Sequence, residues 1–294
     1  MRDQADKLRE IVCGAKATFK SAIIKKPVSE ARVIAVTSGK GGVGKTNFTV
    51  NLALALAQLG QKVMIIDADL GLANIEYVLG CTPKYSLYDL LNYNYALSDI
   101  VTEGPRGVKF ISGGSGIYQL AELSQDKLDK LVGQTIQYDD WADIILIDTG
   151  AGINRNVMNF VVAADEVIVI TTPEPTAIAD AYALMKVYNV YDGCASLNLV
   201  INRVNEFDEG EIVANKLIKV AHQFLGLSVD NLGFVYEDKN LVKAVKSQIP
   251  VLLAQPDTIA ARCIQYIAER ILYGKPAKSG GIKGFFSRFL SRLR

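Results

Sequence analysis

The run Ser38-Gly39-Lys40-Gly41-Gly42-Val43-Gly44-Lys45-Thr46 constrains this chain more than any other segment. It fits GxxxxGK[ST], follows the apolar run Val33–Val36 and opens the helix-forming stretch Thr46–Leu59. A strand, a glycine-rich turn and an amphipathic helix in that order gather backbone N–H groups and a helix N-terminus around one point, a seat for phosphate. In such a loop Gly39, Gly41, Gly42, Val43 and Gly44 present backbone to the phosphates. Lys45 bridges the β- and γ-phosphates, and the Thr46 hydroxyl holds Mg²⁺.

The same alternation runs through the middle of the chain. Apolar, β-branched runs recur at Val63–Ile66, Val108–Ile111, Ile144–Ile147, Val167–Thr171, Leu197–Ile201 and Gly233–Tyr236. Helical patterns lie among them at Ile178–Tyr191, Glu211–Phe224 and Asp257–Leu272. Continuously apolar strands are those buried on both faces of a parallel sheet. The expected fold is therefore α/β: a doubly wound, mostly parallel sheet flanked by helices. Residues 33–274 read as one such domain. Residues 1–20 and 282–294 read as helical arms, joined to it by linkers at 21–32 and 275–281.

Composition narrows the functions. Half of the 294 residues are apolar, enough for a large core. The four cysteines, Cys13, Cys81, Cys194 and Cys263, form no CxxC pair, so a zinc or iron–sulfur site within one chain is not expected. The single histidine, His222, argues against histidine-based catalysis and reads as a helix-surface residue. No signal peptide and no membrane-spanning run is visible, so the expectation is a cytoplasmic protein with reduced thiols. Charge is unevenly spread: net +4 over residues 1–32, −9 over 33–274 and +6 over 275–294. A body so acidic is a poor duplex-DNA binder, and no specific nucleic acid is expected.

Two acidic segments complete the phosphate site. Asp67 and Asp69 end the second strand at i and i+2, on one side of an extended chain and at the carboxyl edge where ligands sit. Such a pair positions metal-bound and attacking water. Asp148 ends the buried run Ile144–Ile147 and leads into Thr149-Gly150-Ala151-Gly152, a metal-associated carboxylate with a loop able to follow the γ-phosphate.

The form KGGVGKT, with its additional Lys40, resembles the deviant Walker A motif of the ParA/MinD family of P-loop ATPases. The segment from Asp67 to Asn74 resembles that family's DxDxGLxN switch, and Asp148–Gly152 its second switch. The resemblance implies ATP and Mg²⁺ as ligands, hydrolysis to ADP and phosphate, and an ATP-dependent, face-to-face homodimer. It assigns Lys40 as the signature lysine that reaches the partner's phosphates. It puts Asp69 on the attacking water, and Asp67 and Asp148 near Mg²⁺. Asn202 would hydrogen-bond adenine, with Arg203 packed on the base. Thr172–Asp180 corresponds to a turn and helix start of the family, with Thr176 as N-cap. Iron-protein relatives carry cluster cysteines near the second switch; none stands here, which disfavours electron transfer.

In the C-terminal arm apolar residues fall at i, i+3, i+4, i+7, i+8 and i+11 from Ile282, giving a stripe with Phe285, Phe286, Phe289, Leu290 and Leu293. Lys283, Arg288, Arg292 and Arg294 lie off it. A basic amphipathic helix after a flexible linker suits an anionic bilayer surface; a helix docked on the body or on a protein partner is the alternative. Two such helices in one dimer bind by avidity.

At the N-terminus Asp3-Gln4-Ala5-Asp6-Lys7-Leu8-Arg9 resembles the DQAxxLR activator motif of the flagellar FlhG (YlxH, FleN) branch, which stimulates the GTPase FlhF; Gln4 would be the residue presented. This implies an ATP switch that acts reversibly at the inner face of the cell membrane and sets flagellar number or placement, working with FlhF and with switch proteins of the basal body. The rival readings are a division-site MinD, a DNA-partitioning ParA and a non-hydrolysing scaffold.

Overall fold

The computed structural model describes residues 30–69, 74–93, 95–113, 141–191, 193–274 and 280–293, the side chains of Leu290 and Leu293 excepted. Gln4, the arm at 1–20 and most of both linkers lie outside the described residues.

The elements are β1 (Arg32–Ser38), α1 (Lys45–Gln58), β2 (Val63–Ala68), α2 (Ile75–Leu79), α3 (Leu87–Asn92), α4 (Leu97–Ile100), β3 (Val101–Glu103) and β4 (Lys109–Ile111). They continue with β5 (Ile144–Ala151), α5 (Arg155–Ala163), β6 (Glu166–Thr171), α6 (Pro175–Val190), β7 (Ser196–Val204) and α7 (Phe207–Leu225). Last come β8 (Val229–Tyr236), α8 (Lys239–Lys246), α9 (Val251–Ala254), α10 (Ile259–Tyr273) and α11 (Gly281–Leu293).

The strands form one eight-stranded sheet in the order β3-β4-β2-β5-β1-β6-β7-β8. It is parallel except for β3, which pairs antiparallel with β4 at the edge. Side-chain alternation divides the core between the two faces: Ile34 and Val36 of β1 join one apolar cluster, Val33 and Ala35 another. The strand order reverses around β1, which lies between β5 and β6. The loop after β1 therefore opens at the crevice where ligands of doubly wound sheets bind.

Helix α1 is not amphipathic. Phe48 through Leu56 are all buried, because α10 and α2 cover the side that the sheet does not. The edge strand β3 was not visible as a run, being three residues long and half exposed. His222 lies exposed on α7, as expected.

The tail differs most from expectation. As a helix α11 forms, but its apolar stripe does not face solvent: Ile282, Phe285, Phe286 and Phe289 are buried, and α11 packs on α5 and β1. Phe289 lies 4.4 Å from Phe160 of α5 between ring centroids, and Phe285 stacks on the same ring at 6.2 Å. Three aromatic rings in water are costly, and an apolar groove on the chain's own body is nearer than a bilayer.

Candidate functional site

The site begins with two close approaches of backbone. At Gly39 a Cβ would lie 2.2 Å from the Asp180 carbonyl oxygen, so α6 can lie directly against the loop only at a glycine. Gly44 holds φ +92°, and a Cβ there would meet Asn202 Nδ2 at 2.4 Å. Asn202 makes that contact because its amide tethers the loop: Nδ2 donates to the Val43 carbonyl at 2.7 Å, while Oδ1 accepts from Arg203 N–H at 3.0 Å. In this conformation the side chain expected at the base is therefore a brace of the phosphate loop. Arg203 carries φ +57°, the left-handed region, at the end of β7.

Three side chains of α1 converge on Asp148. Thr46 Oγ1 donates to Oδ2 at 2.6 Å, Lys45 Nζ lies 3.3 Å from Oδ1, and Thr49 Oγ1 donates to Oδ1 at 3.0 Å. Thr49 was not singled out from sequence, because a threonine one turn into a helix ordinarily bonds the i−4 carbonyl; it does so here too, at 3.0 Å from the Lys45 carbonyl oxygen. The register of β2 on β5 sets Asp67 beside Asp148. Asp67 accepts from the N–H groups of Asp69, Asn74 and Ile75 at 3.1, 3.1 and 3.4 Å, which ties the first switch to the start of α2.

Burial, and after it the neighbouring Asp148 carboxylate, push Asp67 up to about 7. Two carboxylates and a hydroxyl crowded together are an all-oxygen donor set, short of positive charge, and that fits a hard divalent cation such as Mg²⁺. Asp69 stands at the mouth of this cluster. A Cβ on Gly150 would lie 3.6 Å from its Oδ1, and Asn74 Nδ2 lies 3.5 Å from its Oδ2. The first and second switches thus meet at Asp69 and Gly150.

Lys40 points away from this cluster. Its Nζ bonds Glu174 Oε2 at 2.9 Å and Thr176 Oγ1 at 3.1 Å, and that pairing holds the exposed Glu174 carboxyl below the usual range. Thr176 is not the N-cap of its helix: α6 starts at Pro175 with Glu174 as N-cap residue, and the Thr176 hydroxyl receives Lys40 instead. Behind the loop, Thr149 Oγ1 donates to the Val36 carbonyl at 3.1 Å and Gly152 N–H to Ser38 at 2.9 Å, so the second switch is pinned to the strand that carries the loop.

At the opposite end of the strands the tail is anchored on Asp165, which precedes β6. Its Oδ1 accepts from Arg288 Nη2 at 2.7 Å and from Gly280 N–H at 3.0 Å, and its Oδ2 from Val33 N–H at 3.0 Å. Arg288 Nε also donates to the Ala163 carbonyl at 2.7 Å, and Arg292 Nη1 to that of Tyr191 at 3.0 Å. Arg288 and Arg292, expected to face lipid headgroups, are here the tail's hold on the body. Nothing is described of the Leu290 and Leu293 side chains.

Comparison with known proteins decides the family. Residues 29–272 match the ParA family, described as NUBPL iron-transfer P-loop NTPase. The chain belongs to the ParA family. The antiactivator FleN of Pseudomonas aeruginosa is 40% identical over 256 residues, covering 87% of this chain and 91% of that protein. The flagellum site-determining protein YlxH of Helicobacter pylori is 34% identical over 284 residues, covering 92% and 95%. The septum site-determining protein MinD of Pyrococcus horikoshii, solved with Mg-ADP, superposes with a TM-score of 0.68 at 27% identity, covering 83% of this chain and 98% of that one. Within the family the chain is a MinD-like ATPase of the FlhG type, a nucleotide-binding enzyme that hydrolyses ATP. Among the described residues no group of three or more histidine, cysteine or acidic side chains makes a metal site by itself, and no helix is long and apolar enough to cross a membrane.

Proposed function

We propose that this chain is an ATP-driven switch that dimerises with ATP, frees its C-terminal helix to bind an anionic membrane, and regulates flagellar number or placement. One observation carries the coupling. Helix α5 leaves the second switch directly, with Asn154 Oδ1 capping it by accepting from Val157 N–H at 2.9 Å, and the same helix receives the tail's phenylalanines. A movement of Gly150–Gly152 with the γ-phosphate therefore displaces the surface on which the tail is seated.

In the hydrolytic site Lys45 and the N–H groups of residues 39–44 would hold the phosphates of ATP. Thr46, Asp67 and Asp148 would hold Mg²⁺, which would supply positive charge against the phosphates. Asp69 orients the attacking water. Asn202 and Arg203 would hold the base. Lys40, bound to Glu174 and Thr176, leaves them for the phosphates of a second copy when the dimer forms. Flagellar function is supported by the names of the FleN and YlxH relatives.

The test is cosedimentation with vesicles of phosphatidylcholine and phosphatidylglycerol (3:1). The chain with ATP should pellet, and the chain with ADP, or lacking residues 282–294, should not. The flagellar part is tested by adding a peptide of residues 1–20 to the GTP dimer of FlhF. Stimulated GTP hydrolysis, lost with Gln4→Ala, supports it. No stimulation by either peptide removes it in favour of a division-type positioning role.

A further inference from the structure

We propose that Asn159 is a release device in the groove that holds the tail: a side chain stripped of water by the docked helix and given nothing in return. The proposal rests on the reading that the tail docks and leaves.

Asn159 lies on α5 and is 1% exposed. Neither its Nδ2 nor its Oδ1 has a hydrogen-bond partner among the described residues. Two contacts bracket it. Arg288 Nε of the tail donates to the Ala163 carbonyl, and Arg155 Nη2 donates to the Arg292 carbonyl of the tail at 3.5 Å. The tail therefore runs antiparallel along α5. Residues 155, 159 and 163 stand on one face of that helix, one turn apart, so a helix that meets the first and the last lies across the middle one.

The rest of the groove is apolar, with Phe160 and Ala163 of α5 facing Ile282, Phe285 and Phe289. In water the Asn159 amide offers two donors and two lone pairs, all of which water fills. Under the docked tail they go unfilled, and an unpaired buried amide weakens the docked state relative to an apolar group of the same shape. When the tail leaves, water returns to the amide. The phenylalanines supply adhesion, and Asn159 keeps it within reach of a nucleotide-driven change.

The experiment measures hydrogen exchange of the amides of residues 282–292 in the nucleotide-free full chain. Asn159→Leu should slow that exchange by about tenfold, equivalent to 1.4 kcal/mol of tail docking. ATP-dependent binding to the same vesicles should weaken by a similar factor. Asn159→Met, also close in volume, should act alike. Unchanged or faster tail exchange in a folded Asn159→Leu chain overturns the proposal. So does failure of both variants to fold, since an amide whose loss unfolds the chain is holding structure. Phe289→Ala separates the two readings: it should speed tail exchange. If it does not, docking itself is refuted and the device with it; if it does while Asn159→Leu changes nothing, docking stands and only the device falls.

Discussion

At the scale of single residues, Asp148 gathers more of the site than any other side chain. It binds Lys45, Thr46 and Thr49 at once, and its charge helps to lift its neighbour Asp67. Thr49→Val removes a hydrogen bond to a buried carboxylate and should cost about 1.5–3 kcal/mol, read by urea unfolding of the nucleotide-free chain. The Asp67 carboxyl is held up to about 7 in the folded chain, against an ordinary value of 3.8. The folded form thus keeps a proton that the unfolded form has lost. The stability this gives is complete below about pH 4 and falls away as pH rises to about 7. Asp67→Asn should flatten that part of the pH–stability curve; an unchanged slope would refute the assignment. Asp69→Ala should lower ATP turnover by about 10²–10⁴-fold with nucleotide binding retained, as measured by single-turnover hydrolysis and nucleotide titration. That Lys45, Thr46, Asp67 and Asp148 meet was legible, because each stands in a motif expected at one phosphate site, and the structure brings them together. Thr49 was not, since nothing in sequence marks which face of a buried helix meets β5, a strand that neighbours β1 in the sheet and whose Asp148 lies 99 positions away in the chain. The tether from Asn202 to Val43 was hidden for the same reason: it joins residues 159 positions apart.

At the scale of elements, β-branched runs and glycine punctuation were sufficient to read the parallel strands, because buried strands carry their signature in every residue. Edge strand β3 carried no such signature. The burial of α1 on all sides was also illegible, for it depends on α10, which arrives some 200 residues later. The tail shows the limit most clearly. Its stripe predicts an apolar partner surface and does not say whose. Here the surface is α5, and the latch is Asp165, nearly fully buried beneath Arg288. Asp165→Asn leaves the Val33 contact an acceptor but removes the charge that holds Arg288. Vesicle binding without nucleotide should then rise several-fold over the unaltered chain; no change would mean that the phenylalanines alone hold the tail.

At the scale of the whole molecule, the nucleotide loop and the tail anchor lie at opposite ends of the strands, and α5 spans the distance between the second switch and Asp165. Nine residues of helix cover about 13 Å. Lys40, in the nucleotide loop itself, is held by Glu174 of the segment that opens α6. The most direct test of the coupling is hydrogen exchange across residues 282–292 of the Asp69→Ala chain, saturated with ATP or with ADP. With ATP the tail amides should lose protection while the chain becomes a dimer and binds anionic vesicles; with ADP they should stay protected in a monomer. Equal protection in both states, with the dimer formed, would contradict the account.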